Sequence, residues 1–207
     1  MSSKYSSKRH ARLGWLGAAL VAAAIVSALA ASVALAATIV GTPRGERLTG
    51  TGRADTILAR GGNDRVRARG GDDRVYGGSD NDVIAGGRGD DRLYGEAGND
   101  HIFGQLGVDE EWGGPGNDDL WAMAHGDVSG TGDTTADTLH GGPGDDRFHT
   151  RDGEADRIDC GEGRDVAFLD EEDVIVDATP ANPNGSCEVV VRAEPKPGED
   201  QQENAQQ

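Results

Sequence analysis

The sequence predicts an all-β protein: a parallel β-roll (β-solenoid) of nonapeptide repeats with a C-terminal disulfide-linked β cap and a disordered tail. Three observations predict it. A nine-residue pattern runs without a gap from residue 41 to residue 121. Glycine supplies 33 of the 207 residues and apolar residues only 35%, too few for a large compact core of the ordinary kind. The 37 acidic and 20 basic residues leave a net charge of −17, which opposes compaction unless something neutralises it.

The repeat comes first. In rows of nine, residues 41–121 read GTPRGERLT, GTGRADTIL, ARGGNDRVR, ARGGDDRVY, GGSDNDVIA, GGRGDDRLY, GEAGNDHIF, GQLGVDEEW and GGPGNDDLW. Column six holds Glu46, Asp55, Asp64, Asp73, Asp82, Asp91, Asp100, Asp109 and Asp118. Column eight holds Leu48, Ile57, Val66, Val75, Ile84, Leu93, Ile102, Glu111 and Leu120. Column four is mostly Gly, and column five is often Asn or Asp. An insertion at roughly 122–131 breaks the phase. The pattern returns as GDTTADTLH (132–140) and GGPGDDRFH (141–149), adding Asp137 and Asp146, and decays through Asp156 and Asp165.

One row can be read as chemistry. Glycines permit positive φ and close backbone approach, so the first six residues are expected to turn. The last three form a short strand whose middle side chain points inward. One apolar residue per row is a thin core that works only if rows stack. A row is half a coil, and two rows return the chain above its start. Asp55, Asp73, Asp91 and Asp109 then share one edge, and Asp64, Asp82, Asp100 and Asp118 the other. Neighbours lie about one strand spacing apart, roughly 4.8 Å. Bare carboxylates at that distance repel, and a hard dication between them turns repulsion into binding. Calcium accepts six to eight oxygens from carboxylates and carbonyls in a flexible geometry, whereas magnesium demands a tighter octahedron and holds its water. Asp137, after the insertion, is expected to begin a second short roll.

These rows resemble the glycine-aspartate nonapeptide of the repeats-in-toxin (RTX) family, G-G-x-G-x-D-x-U-x with U a large apolar residue. Residues 86–94, 113–121 and 141–149 fit it fully. The resemblance implies a hemolysin-type calcium-binding β-roll with calcium between successive turns on each edge. It makes Ca2+ the cofactor and the column-six aspartates, including Asp137 and Asp146, the ligands. The departures are informative. Row one has Glu46 for Asp and few glycines, which suits an N-terminal cap. Glu111 stands where an apolar residue should point inward, so the roll is expected to distort near 108–112 or Glu111 to turn outward.

The ends carry other signals. Residues 1–12 hold Lys4, Lys8, Arg9 and Arg12 and no acid, and 13–37 are uncharged and apolar. Ala34-Leu35-Ala36 has the form of a signal-peptidase site, so residues 1–36 read as a secretory signal peptide. The alternative is an uncleaved membrane anchor, since the run is long enough to span a bilayer. Cleavage leaves a charge of −21 and a secreted, extracellular chain that does not span the membrane. The roll then occupies 37–149. Cys160 and Cys187 are expected to form a disulfide in an oxidising compartment. Residues 173–177 and 188–191 read as strands with a Pro- and Gly-bearing loop between them. Residues 150–192 are expected to cap the solenoid, and 193–207 form a tail rich in Glu, Pro and Gln.

Function classes narrow accordingly. A duplex-binding protein needs the opposite charge, so nucleic acid is not an expected partner. Adjacent acids such as Asp90-Asp91 could be a hydrolytic carboxylate pair, but the repeat explains them: column six ligates, while column five or seven is solvated. No nucleophile elbow, P-loop or zincin motif is present, and the repeats begin at residue 41, so no catalytic domain is expected before them and the chain is not read as an enzyme. His140 and His149, nine apart, should lie on opposite sheets rather than share a metal. Trp112 and Trp121 occupy column nine, facing outward. They could stack on sugars, or be partly covered by neighbours. The expected function is calcium binding coupled to folding. The alternative is a calcium-stabilised surface adhesion module with a polysaccharide or protein partner.

Overall fold

A computed structural model of the chain describes residues 36–123, 136–182 and 184–193. Residues 1–35, most of the predicted insertion, and the predicted tail beyond 193 lie outside the described residues. The elements are all strands: β1 Thr38–Val40, β2 Arg47–Thr49, β3 Thr56–Gly61, β4 Arg65–Gly70, β5 Arg74–Ser79, β6 Val83–Arg88, β7 Arg92–Ala97 and β8 His101–Leu106. They continue as β9 Glu110–Trp112, β10 Asp119–Met123, β11 Thr138–Pro143, β12 Arg147–His149, β13 Arg157–Glu162, β14 Val166–Leu169, β15 Val174–Ile175 and β16 Val189–Arg192. Odd strands form one eight-stranded parallel sheet in chain order, and even strands form the other. This is the parallel β-roll predicted from the repeat.

Register follows the repeat. Ile57 pairs with Val75 and Val75 with Leu93, while Val66 pairs with Ile84 and Ile84 with Ile102, each step one full coil. Column-eight side chains point inward and are fully buried from Ile57 to Ile102. Column one also faces inward, with Ala59, Ala68, Ala122 and Cys160 buried beside the column-eight stack. The strands are longer than the three residues expected. β3 to β8 each run six residues, because columns one to three still pair across the sheet. They do so although column two has positive φ, as at Gly87 (124°) and even Arg60 (83°), Glu96 (71°) and Gln105 (84°). The tight turn is confined to columns four to six.

The insertion does not begin a second roll. β11 pairs with β9 in register, Leu139 opposite Glu111, and β10 pairs with both β8 and β12. The sheets pass the insertion without a break because it lies between β10 and β11, where the chain already crosses from one sheet to the other. The repeating geometry also extends beyond 149, since β13 and β14 add strands to both sheets and β15 and β16 add the last pair. The Cys160–Cys187 disulfide is present and closes a 27-residue span at this end, its Cα atoms 5.3 Å apart. Both cysteines are buried with Phe148, Leu169 and Ile175.

Candidate metal centre

The turns, columns four to six, stack into two edges, and the column-six side chains define them. On one edge the backbone N–H of Asp55 donates to Oδ1 of Asp73, Asp73 to Asp91, Asp91 to Asp109, Asp109 to Asp137, Asp137 to Asp156 and Asp156 to Asp173, at 2.6–3.1 Å. On the other edge Asp64 donates to Asp82, Asp82 to Asp100, Asp100 to Asp118, Asp118 to Asp146 and Asp146 to Asp165, at 2.8–2.9 Å. All ten predicted ligand positions therefore lie on the two expected edges, five on each. Asp156 and Asp165 extend the ladders. Read from the sequence as the decaying end of the pattern, they stand 19 residues from Asp137 and Asp146 and keep the ladder geometry.

One oxygen of each carboxylate is thus satisfied, and the other is the chemically interesting one. Oδ2 of Asp64, Asp73, Asp82, Asp91, Asp100, Asp118, Asp146, Asp156 and Asp165 is buried with no hydrogen-bond partner. A buried acceptor without a donor is costly, and nine in one column need a common explanation. The column-one glycines supply its geometry. A Cβ built on Gly77, Gly86, Gly95, Gly113 or Gly141 would fall within 3.0 Å of that row's own Asp Oδ2. It would fall equally near the carbonyl oxygen of the column-one residue one coil on, Gly95, Gly104, Gly113, Gly141 and Cys160 respectively. Carboxylate and carbonyl oxygens thus crowd each of these glycines and leave no room for a side chain there. Ala59 and Ala68 hold the same column in two early rows, and both are buried.

Burial also sets the protonation. Removal from water pushes Asp73 and Asp100 up to about 6, Asp82, Asp91 and Asp146 to about 7, and Asp118 to about 8; the N–H bond to each opposes this. Neighbouring carboxylates add to the rise at Asp73, Asp82, Asp91, Asp118 and Asp146. Asp137 rises to about 11 by burial, with Asp109, Asp156 and Glu111 adding to it. Groups raised in this way are protonated more readily than an ordinary carboxyl. Among the described residues no three His, Cys, Asp or Glu side chains form a metal-binding group. A cation at a turn must complete its shell with backbone carbonyls and water, which suits calcium and not a thiolate- or imidazole-seeking metal.

The ladder ends are built differently. Asp55 accepts from Ala37 N–H and from both the N–H and Oγ1 of Thr51; these bonds outweigh its burial, and its pKa is lowered. Glu46 likewise accepts from the N–H and Oγ1 of Thr42. At the other end Asp173 accepts from Thr150 Oγ1 and from the N–H groups of Asp156 and Asp170. There threonine hydroxyls and main-chain amides fill the positions that remain without donors in the middle of the roll.

Column five is exposed, as expected, and its side chains also bond from coil to coil. Asn81 N–H donates to Asn63 Oδ1, Asn99 to Asn81, Asn117 to Asn99 and Asp145 to Asn117, at 2.9–3.3 Å. Asp90 donates to Asp72 on the other edge. This outer ladder runs in the opposite sense to the inner one and fixes the turns from outside.

Glu111 overturns its expectation. The strand keeps register, Glu110-Glu111-Trp112 opposite Arg92-Leu93-Tyr94, and Glu111 points inward with 0% exposure. The sheet pairing on both sides of β9 holds the backbone, so the side chain and not the strand adjusts. Desolvation, with Asp109 adding to it, raises its pKa well above the ordinary carboxyl value.

The outward aromatics stack on each other. Tyr76, Tyr94, Trp112 and His140 form one row at 4.9, 4.5 and 5.5 Å. Phe103, Trp121, His149 and Phe168 form another at 5.7, 3.7 and 5.2 Å. Trp112 and Trp121 each have both faces covered, so neither presents a ring face to a sugar. His140 and His149 lie on opposite sheets, as expected from their spacing.

No curated protein matches the chain. The family model described as RTX calcium-binding nonapeptide repeat (4 copies) matches residues 40–75, 49–84, 76–111 and 131–167, more than half of the sequence. The last match runs past 149, as the strands do. Aspartates on two edges, glycine turns between them and a profile covering most of the roll agree, and the chain belongs to the RTX calcium-binding nonapeptide repeat family.

Proposed function

We propose that this protein is a secreted, non-catalytic calcium-binding protein whose repeats fold when they bind extracellular calcium. One observation carries the reading: the buried Oδ2 atoms without donors, repeated at column six and facing carbonyl oxygens across the column-one glycines. Asp64, Asp73, Asp82, Asp91, Asp100, Asp109, Asp118, Asp137 and Asp146 are the proposed ligands, with Asp156 and Asp165 added. Asp55, whose carboxylate is already bonded by Thr51, serves as a cap. Without calcium, the acidic edges repel and the narrow core is too thin to hold them. With calcium, each turn is neutralised and stacks on the next. Extracellular calcium modules bind at about 10⁻⁴ to 10⁻³ M, and these sites are expected in that range. The N-terminal segment, residues 1–36, supplies the export signal. Calorimetric titration with calcium tests the proposal: several ions bound cooperatively per chain support it, and no heat at millimolar calcium refutes it.

A second reading, a calcium-stabilised surface module that contacts an acidic polysaccharide, is favoured by the arginines. Residues 38–75 carry eight arginines and five acids, while 76–207 carry eight basic and 32 acidic residues. Arg47, Arg65, Arg67, Arg69 and Arg88 are exposed on the even strands, and Arg65, Arg67 and Arg69 border a groove with Ala85, Gly87 and Phe103. The contact would be this face and not the stacked tryptophans. Replacing Arg65, Arg67 and Arg69 by serine should abolish retention on an acidic polysaccharide column in calcium, and undiminished retention would remove the reading.

A further inference from the structure

Tyr76 and Tyr94 are the only tyrosines among the described residues, and the fold sets them side by side. Both stand in column nine, facing outward from the odd-strand sheet. Strands β5 and β7 pair with Tyr76 opposite Tyr94, one full coil apart. Their rings stack with centroids 4.9 Å apart and planes 5° from parallel. That separation matches the strand spacing, about 4.8 Å, so the sheet itself holds the pair together. Burial raises the pKa of the Tyr94 phenol, and Tyr76 adds to the rise, so the two hydroxyl ends are close as well.

The row covers the two outer faces of the pair. Leu58 lies opposite Tyr76 on β3, and Trp112 stacks on Tyr94 at 4.5 Å. Each phenol therefore has the other as its stacked phenol neighbour. Both side chains are half-buried, which leaves part of each ring open to small molecules at the sheet surface. The outward row on the other sheet, Phe103, Trp121, His149 and Phe168, holds no phenol.

We propose that Tyr76 and Tyr94 form an oxidative cross-linking site, joined as dityrosine by hydrogen peroxide and a one-electron oxidant of the peroxidase class. Each phenol gives up one electron and its hydroxyl proton and becomes a phenoxyl radical. The two radicals couple Cε to Cε. The hydrogens on the bonded carbons leave as protons, and both oxygens are protonated again. One C–C bond forms and two C–H bonds break, and the two electrons and two protons convert hydrogen peroxide to two waters. The torsion about Cβ–Cγ is broad in tyrosine, so the stacked rings can tilt into bonding contact. Strand pairing holds the reacting rings together before either is oxidised, which favours coupling within the chain over coupling between chains. The product is a covalent tie between two coils that otherwise meet only through non-covalent contacts, and it fixes β5 against β7 in register. The inference rests on that register, and on the calcium reading only in that calcium is the condition under which the chain folds.

The test treats the full chain, dilute and at neutral pH in calcium, with a haem peroxidase and hydrogen peroxide. It compares wild type with Tyr76→Phe and Tyr94→Phe, which keep the stacked ring and remove one phenol. Circular dichroism before oxidation verifies that all three have folded. Dityrosine fluorescence is read in the monomer fraction, and mass spectrometry follows digestion with trypsin, which cuts at Arg88 and Arg92 between the two tyrosines. The expected result is a monomer whose Tyr76 and Tyr94 peptides are joined with the loss of two hydrogens. Its yield should be roughly tenfold or more above that of the urea-unfolded chain, and both variants should lack it. Equal yields from folded and unfolded wild type, or cross-links only between chains, overturn the proposal while leaving calcium binding in place. In chelator, loss of the joined peptide together with the sheet signal supports both readings. A joined peptide that forms in chelator with the sheet signal intact supports the site and overturns calcium-coupled folding. One that forms there without sheet overturns the site.

Discussion

The backbone N–H of Asp73 donates to Oδ1 of Asp91, one full coil further on, at 2.7 Å, while Asp91 Oδ2 is buried and accepts nothing. Each column-six aspartate in the middle of the roll therefore has two tasks. One oxygen fixes the vertical stacking of turns. The other, buried against the next coil, makes the stack unfavourable unless a proton or a cation occupies it.

Removing one charge separates these tasks. Asp91→Asn keeps an oxygen that can accept from Asp73 and deletes the buried charge. The metal-free roll should gain roughly 2 kcal/mol at pH 7.5, given how far burial raises that group, while calcium stabilisation falls and the count of bound ions drops. Urea denaturation with and without calcium checks both signs. A variant less stable than wild type in chelator would contradict the assignment of Oδ2.

Acid should substitute for calcium. Asp73, Asp82, Asp91, Asp100, Asp118 and Asp146 have folded-state values pushed up to about 6–8. A raised value means the folded chain binds protons that the unfolded chain releases. Their contribution is complete below the unfolded value, about 4, and is lost as pH rises through the folded values. In chelator the β signal should therefore be strong near pH 4 and fade between about pH 6 and 8, with calcium binding releasing protons. A metal-free fold that strengthens as pH rises would contradict this.

The glycines of column four test the stacking itself. Gly116 has φ 153°, and a Cβ on it would overlap the carbonyl oxygen of Gly98 in the coil before. Gly116→Ala should cost about 2–4 kcal/mol in the calcium-bound state, from overpacking against backbone that cannot move alone. A melting temperature within a degree or two of wild type would show that the turns stack more loosely than described.

The disulfide should matter chiefly at the C-terminal end. The chain-entropy estimate for a 27-residue loop is about 3.5 kcal/mol. Cys160→Ser with Cys187→Ser should lower stability by about that much in calcium. Hydrogen exchange should rise first in β13–β16 and leave β3–β8 protected. Uniform loss of protection along the roll would instead mark the disulfide as the nucleus of the whole fold.

The inner ladder was legible because Asp55 to Asp118 keep a strict period, and a period of nine with one apolar residue admits few other folds. What lay outside the period was harder to see. Asp156 and Asp165 follow a row longer by one residue. The 28-residue step from Asp109 to Asp137 suggested a new roll, although strand pairing absorbs the extra length in the crossover. The outer ladder was not foreseen because exposed asparagine and aspartate at a turn need no partner but water. The signal was the recurrence of Asn63, Asn81, Asn99 and Asn117 every second row. Glu111 was expected to move the backbone, but hydrogen bonding to strands on both sides is stiffer than one side chain.

The most direct test of calcium-coupled folding is far-ultraviolet circular dichroism of the protein at pH 7.5 during a calcium titration from chelator, with magnesium as control. A cooperative coil-to-sheet change in calcium that magnesium does not reproduce is the predicted result. A chain already folded in chelator at that pH, or unmoved by 10 mM calcium, roughly ten times the weak end of the extracellular range, would contradict it.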